Sequence, residues 1–155
     1  MNESHFLETW EIHNRINLYL LEALAPEHLG DIAASKGRNV GEQFAHMHNV
    51  RLMWLKSAAP ELLAKLEKVE KAAALTKKTL QRALSASGVA IKELLAQAVA
   101  NGGKVKGFKP HATAFLGYLI AHEAHHRGQI VLSLKQAQHL PDKKILFGLW
   151  EWGVR

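Results

Sequence analysis

With 155 residues, 48% hydrophobic and 22% charged, the chain is long enough to bury one core and too apolar to be disordered or fibrous. It has no cysteine, which excludes a disulfide framework, a thiolate metal site and a cysteine nucleophile, and leaves imidazole and carboxylate as the donors for any metal. The net charge of +6 is a modest excess, densest between residues 65 and 82. A solvated helix face accounts for that patch, since no nucleic-acid-binding module accompanies it and few aromatics interleave with the basic residues.

The first ten residues, MNESHFLETW, have neither a basic n-region nor an apolar h-region, so no signal peptide is expected. Apolar stretches are interrupted every few residues by Lys, Glu, His or Gln, and none approaches a membrane span. The expectation is a cytoplasmic protein with no membrane or nucleic-acid partner.

Apolar residues recur at helical spacing almost throughout. Residues 6–25 form the first segment, with Phe6, Trp10, His13, Asn17, Leu20 and Leu24 on one stripe and Pro26 as its stop. A polar loop follows over 26–39. Asn39 and Glu42 have capping-box spacing, which starts a second helix running to about residue 57. Pro60 breaks it, and a short helix over 60–67 is allowed. The third long helix spans about 76–100, with Gly88 a mild cost inside it, and Asn101-Gly102-Gly103 stops it. The fourth spans about 111–139 and ends before Pro141. The tail 142–155 carries Leu146, Phe147, Leu149, Trp150 and Trp152, so it must pack on the bundle or on a partner. No stretch alternates as a strand does, and neither a repeat nor an interdomain linker is visible. These elements predict an all-α, antiparallel four-helix bundle forming one domain over residues 1–155.

Ten histidines is a high count, and their clustering is informative: His46 and His48, then His122, His125 and His126. At about 100° per residue, His122 and His126 lie one turn apart on the helix face shared by Phe115 and Leu119. Two imidazoles so placed can converge on one ion. His125 points about 60° aside, and Glu123 and Arg127, at i,i+4 spacing, are expected on the outer surface as an ion pair. A third ligand is offered by either His46 or His48, which point about 200° apart and each share a face with apolar residues. Periodicity does not choose between them. His13 is a weaker candidate, better read as a satisfied core histidine.

His122-Glu123-Ala124-His125-His126 spells the H-E-x-x-H zinc protease motif. However, Gln129 and Leu132 occupy the places where the extended form has Gly and His, no strand is expected, and an outward Glu123 could not act as a base. Glu123-x-x-His126 matches half of a carboxylate-bridged di-iron motif, but the chain has no second Glu-x-x-His.

The run 40–46 (VGEQFAH), followed by Trp54, resembles the second helix of the DinB/YfiT-like family. The run 118–129 (YLIAHEAHHRGQ) resembles its last long helix, and Gly148-Leu149-Trp150-Glu151-Trp152 the ending of one branch. The resemblance covers nearly the whole chain. It implies a four-helix bundle with three histidines, His46, His122 and His126, on one divalent ion, zinc or nickel. It also implies frequent homodimers, a link to damage and stress responses, and in some relatives a thiol-dependent S-transferase or isomerase activity on small electrophiles. His125, His48, Asn49, Gln129 and Tyr118 are then candidates for contacts around the ion or substrate. The competing expectation is a metal-binding or interaction protein of the stress response without catalysis.

Overall fold

The computed structural model describes residues 2–70 and 75–155. Residues 71–74, which fall inside the basic stretch 65–82, lie outside the described residues. Within that stretch Lys65, Lys68, Lys78 and Arg82 are exposed, as a solvated face requires.

Four long helices form the fold: α1 (Glu3–Ala23), α2 (Val40–Ala58), α3 (Lys77–Ala100) and α4 (Ala112–Gln136). A short α5 (Lys143–Gly148) follows, and single 3-10 turns occur at Pro26–Gly30, Pro60–Leu63 and Trp152–Val154. No strand is present among the described residues. The capping box predicted from sequence is formed: the Asn39 side chain accepts from the Glu42 amide at 2.8 Å, and Glu42 accepts from the Asn39 amide at 3.0 Å. Pro60 nucleates only a 3-10 turn rather than a helix reaching residue 67.

The fourth helix stops earlier than Pro141 suggests. Gln138 adopts a left-handed conformation (φ 64°), and the His139 amide bonds back to the Leu134 carbonyl at 2.8 Å. That closure terminates a helix without any proline.

Buried apolar residues fall into two clusters at opposite ends of the bundle. One contains Phe6, Trp10, Leu52, Leu55, Ile91 and Phe115, and the other Leu20, Leu21, Phe44, Met47, Leu84 and Ile130. Helix direction follows from which cluster each helix enters first. α1 and α4 run one way, and α2 and α3 run the other. The pairs α1 with α3 and α2 with α4 are therefore antiparallel, while the long connection over 59–76 lets α2 and α3 lie side by side in the same direction.

Against the expectation that no stretch approaches a membrane span, α3 has, at 24 residues, the length and mean hydropathy of one. Its many alanines raise that mean, although Lys, Gln, Arg and Glu punctuate it. Leu80, Leu84, Ile91, Leu94 and Leu95 are buried within the bundle. Gly88 has a packing reason: a Cβ there would run into the Asn14 side chain, and its carbonyl accepts from Trp10 Nε1 at 2.8 Å.

The tail folds back on the bundle. Gly148 sits against the Tyr19 ring, and the Arg155 guanidinium stacks on that ring at 3.8 Å. Arg155 Nε donates to the Gly148 carbonyl at 3.1 Å, and Arg15 reaches the Arg155 carbonyl at 3.0 Å. Gly148→Ala is expected to push Tyr19 away and loosen the tail while the bundle stays folded. Hydrogen exchange should then show lost protection over residues 143–154, with a cost to global stability no more than about 1 kcal/mol.

Candidate metal centre

Between the two apolar clusters lies a layer of buried polar groups. Glu123 on α4 and Arg51 on α2 are 1% and 0% exposed. Arg51 grips the carboxylate in a fork, with Nε to Oε1 at 2.6 Å and Nη2 to Oε2 at 2.8 Å. Glu123 Oε2 also accepts from His13 Nε2 at 2.9 Å and from Asn17 Nδ2 at 2.6 Å, both on α1. Arg51 Nη1 reaches α3, donating to the Leu84 carbonyl at 2.9 Å and to Ser87 Oγ at 3.2 Å. Its guanidinium lies 4.8 Å from the Trp10 ring centroid. Burial alone would raise the Glu123 pKa, but the Arg51 charge and the hydrogen bonds from Arg51 and His13 win and hold it below the ordinary carboxylate range.

This arrangement corrects the expectation of an outward Glu123–Arg127 pair. Glu123 is fully inside, and Arg127 is half-buried, donating to Asn17 Oδ1 at 2.6 Å and to His13 Nδ1 at 3.3 Å. Mid-bundle, α4 is flanked by α2 on one side and α1 on the other. Its buried arc is therefore wider than the Phe115–Leu119 stripe alone indicates. Glu123 is thus unavailable as a base because its oxygens are already taken, not because it faces solvent. His13 is a satisfied core histidine, as read from sequence, with burial as the main cause of its lowered pKa.

One residue before Glu123, His122 leaves this layer and points to the α2–α4 edge. His46, His122 and His126 converge there, with ligand nitrogens all within 4.8 Å of one another. His126 Nε2 and His122 Nε2 face each other at 3.1 Å. The His46 ring lies 4.6 Å from that of His126 and 5.5 Å from that of His122, centroid to centroid. Ligands about 2.1 Å from a tetrahedral ion stand about 3.4 Å apart, so small ring rotations suffice.

Gln43, one turn before His46 on the same face of α2, accepts from His126 Nδ1 at 2.6 Å. That bond places the His126 proton on Nδ1 and leaves Nε2 as the donor toward the cluster. All three histidines have lowered pKa values, with burial as the leading cause. His126, crowded further by His122 and His46, falls to about 4. At neutral pH the rings are uncharged with free lone pairs, the state a divalent ion needs. His46 and His122 are only half-buried, so the cluster is reachable from solvent.

The other candidate residues divide. Tyr118 lies near-parallel to His122, with centroids 6.1 Å apart, and continues a set of rings through Trp54, Phe108 and Phe115. His125 is exposed and outside the cluster. His48 and Asn49 instead hold the connection after α2. His48 Nε2 pairs with the Glu67 carbonyl at 2.8 Å, and Asn49 exchanges hydrogen bonds with the Val69 backbone at 2.9 and 3.0 Å. The Gln129 backbone carbonyl accepts from Ser133 Oγ. Gln43 was missed by sequence reasoning, although its position three residues before His46 marks it as sharing that face.

A second set, His28, Asp31 and His139, also lies within 4.8 Å. His139 Nδ1 pairs with Asp31 Oδ2 at 2.7 Å, and the two imidazoles stack at 3.9 Å with 10° between planes. Parallel stacked rings aim their lone pairs along parallel planes, so as placed they do not share an ion. Their effect is to tie the end of α4 to the loop after α1.

The fold and site thus define an all-α bundle with a solvent-reachable cluster of three histidines between two of its helices. The DinB family model matches residues 1–143, and the chain belongs to that family. It is also similar in structure to a DinB-like protein from Bacillus cereus ATCC 10987. The TM-score is 0.69 and the identity 23%, covering 86% of this chain and 91% of that one. No match is found among curated proteins.

The buried pair is testable by removal of one partner. Arg51→Met strands a buried carboxylate and is expected to cost about 3–5 kcal/mol in urea unfolding. Glu123 contributes stability above its unfolded pKa of about 4.3 and loses it as pH falls toward its depressed folded value. The stability of the wild type relative to Glu123→Gln should therefore fall as pH is lowered from about 5.

Proposed function

We propose that His46, His122 and His126 hold one divalent metal ion, zinc or nickel, and that the protein is a metal-dependent thiol S-transferase of detoxification or stress response. The observation that carries the reading is the convergence of three neutral imidazoles, one of them oriented by Gln43. Three protein ligands leave a coordination place open, as in catalytic rather than structural sites. The ion would supply Lewis acidity and lower the pKa of a coordinated thiol.

The residues around the cluster suit that role. Gln43 keeps the His126 donor aimed, and Tyr118 shields one side of His122. His46 borders a cavity of about 580 Å³ with Arg38, Asn49 and Val69, room enough for a low-molecular-weight thiol and a small electrophile. The reading extends to a cytoplasmic protein that self-associates and has no nucleic-acid or membrane partner.

Metal analysis of protein purified without a histidine tag is expected to find about one ion per chain, and below about 0.2 in His46→Ala, His122→Ala or His126→Ala. Gln43→Leu should weaken metal affinity about 10–100-fold while keeping the site. In a screen of thiols against electrophiles, metal-loaded protein should turn over a pair that His126→Ala does not, with both proteins folded by circular dichroism. A wild type without metal would overturn the site. Full metal loading with no turnover, and with ligand loss that only lowers the melting temperature, would point to a non-catalytic metal-binding protein instead.

A further inference from the structure

On the side of α4 away from the histidine cluster lies a second cavity, of about 530 Å³, between the helix and the folded-back tail. Ile120 and Val131 on α4 and Leu146, Leu149, Trp150 and Trp152 on the tail form apolar walls. Trp150 is 80% exposed, although it lies on a tail otherwise anchored to the bundle through Tyr19. On the helix side, exposed Ala124 and half-buried Arg127 line the cavity, and Arg127 is the one charged residue among its lining.

The charge balance beneath that cavity is uneven. The buried layer holds two guanidinium groups, Arg51 and Arg127, and one carboxylate, Glu123. His13 does not add an anion: its Nε2–H donates to Glu123, and its Nδ1 accepts from Arg127. Glu123 is saturated by Arg51, His13 and Asn17. Arg127 is left with two neutral acceptors, Asn17 Oδ1 and His13 Nδ1, both reached by Nη1. Of the two side-chain carboxylates on the tail, Glu151 is taken by Arg155 at 3.2 Å, and Asp142 caps α5 by accepting from the Ile145 amide at 3.0 Å. Burial opposes the charged form of Arg127, while the Glu123 charge favours it through space. No carboxylate among the described residues bonds to this half-buried guanidinium, whose fork geometry suits a planar oxyanion.

The geometry points to a binding site for a small apolar carboxylate, its acid group on Arg127 and its hydrocarbon or aromatic body between α4 and Trp150. The volume falls in the range of small-molecule sites, with apolar walls and one orienting charge. This site is separate from the histidine cluster, and neither its occupancy nor its test depends on metal.

The test uses 3-phenylpropionate and its neutral isostere 3-phenylpropanamide with the full chain, followed by calorimetry and by the indole N–H signals of the four tryptophans. The carboxylate is expected to bind at one per chain and shift Trp150 and Trp152 while leaving the buried Trp10 signal in place. The amide should bind at least about tenfold more weakly, the loss expected for one charge-assisted contact. Ala124→Trp, which fills the groove from an exposed position, should weaken carboxylate binding at least about tenfold with no change in melting temperature. Arg127→Met should abolish the preference for the acid over the amide. If that variant fails to fold, the comparison of the two ligands on wild type still decides. Equal binding of acid and amide would overturn the proposal, as would a carboxylate affinity weaker than about 1 mM. A dimer that Trp150→Ala dissociates would also overturn it, because a second copy would then own the groove.

Discussion

The forked Arg51–Glu123 pair is the constraint around which the rest of the bundle is arranged. It sits where two apolar clusters would otherwise meet, and it binds all four long helices. Glu123 is on α4, Arg51 on α2, His13 and Asn17 on α1, and Leu84 and Ser87 on α3. A buried ion pair of this kind is weak evidence for net stability, since desolvation offsets much of the attraction. Its stronger consequence is register. Leucines can slide past one another by a turn at modest cost, but a carboxylate that must meet one guanidinium and two α1 side chains cannot.

That register also positions the histidine cluster. His122 is adjacent to Glu123 in sequence, and His46 lies five residues before Arg51 on α2. Once Glu123 and Arg51 are paired, the phase of both helices is set, and His122, His126 and His46 come to the same edge. Gln43 completes the effect by fixing which nitrogen of His126 carries the proton. The polar layer thus acts as a keel for the cluster: buried and hydrogen-bonded on the inside, it leaves the imidazoles at a half-exposed rim where small molecules can reach them.

Helix α4 consequently has three distinct sides. One carries His122 and His126 in line with the buried Phe115 and Leu119, one carries Glu123 toward the buried polar layer, and one faces the aromatic tail across a groove. A helix with so much of its circumference engaged has little amphipathic contrast, which is why its sequence understates how much of it is buried. The tail is held by a few specific contacts around Tyr19 and Arg155, and its Phe147 and Trp150 rings stay in solvent.

Much of this was legible in the residues. Helical periodicity, the Asn39–Glu42 capping box and the Gly102-Gly103 stop placed the four long helices to within a few residues, because these signals act through local backbone physics. The His-x3-His spacing of His122 and His126 made a half-site legible for the same local reason. The third histidine was not: His46 and His48 are equally plausible on a wheel, and only resemblance to a family favoured His46. Tertiary structure decided that His46 meets the other two while His48 holds the 67–69 segment, that Glu123 and Arg127 turn inward, and that Gln43 orients His126. Each depends on which neighbouring helix covers which side of a given turn. That is a long-range fact of packing, which a single helix cannot encode.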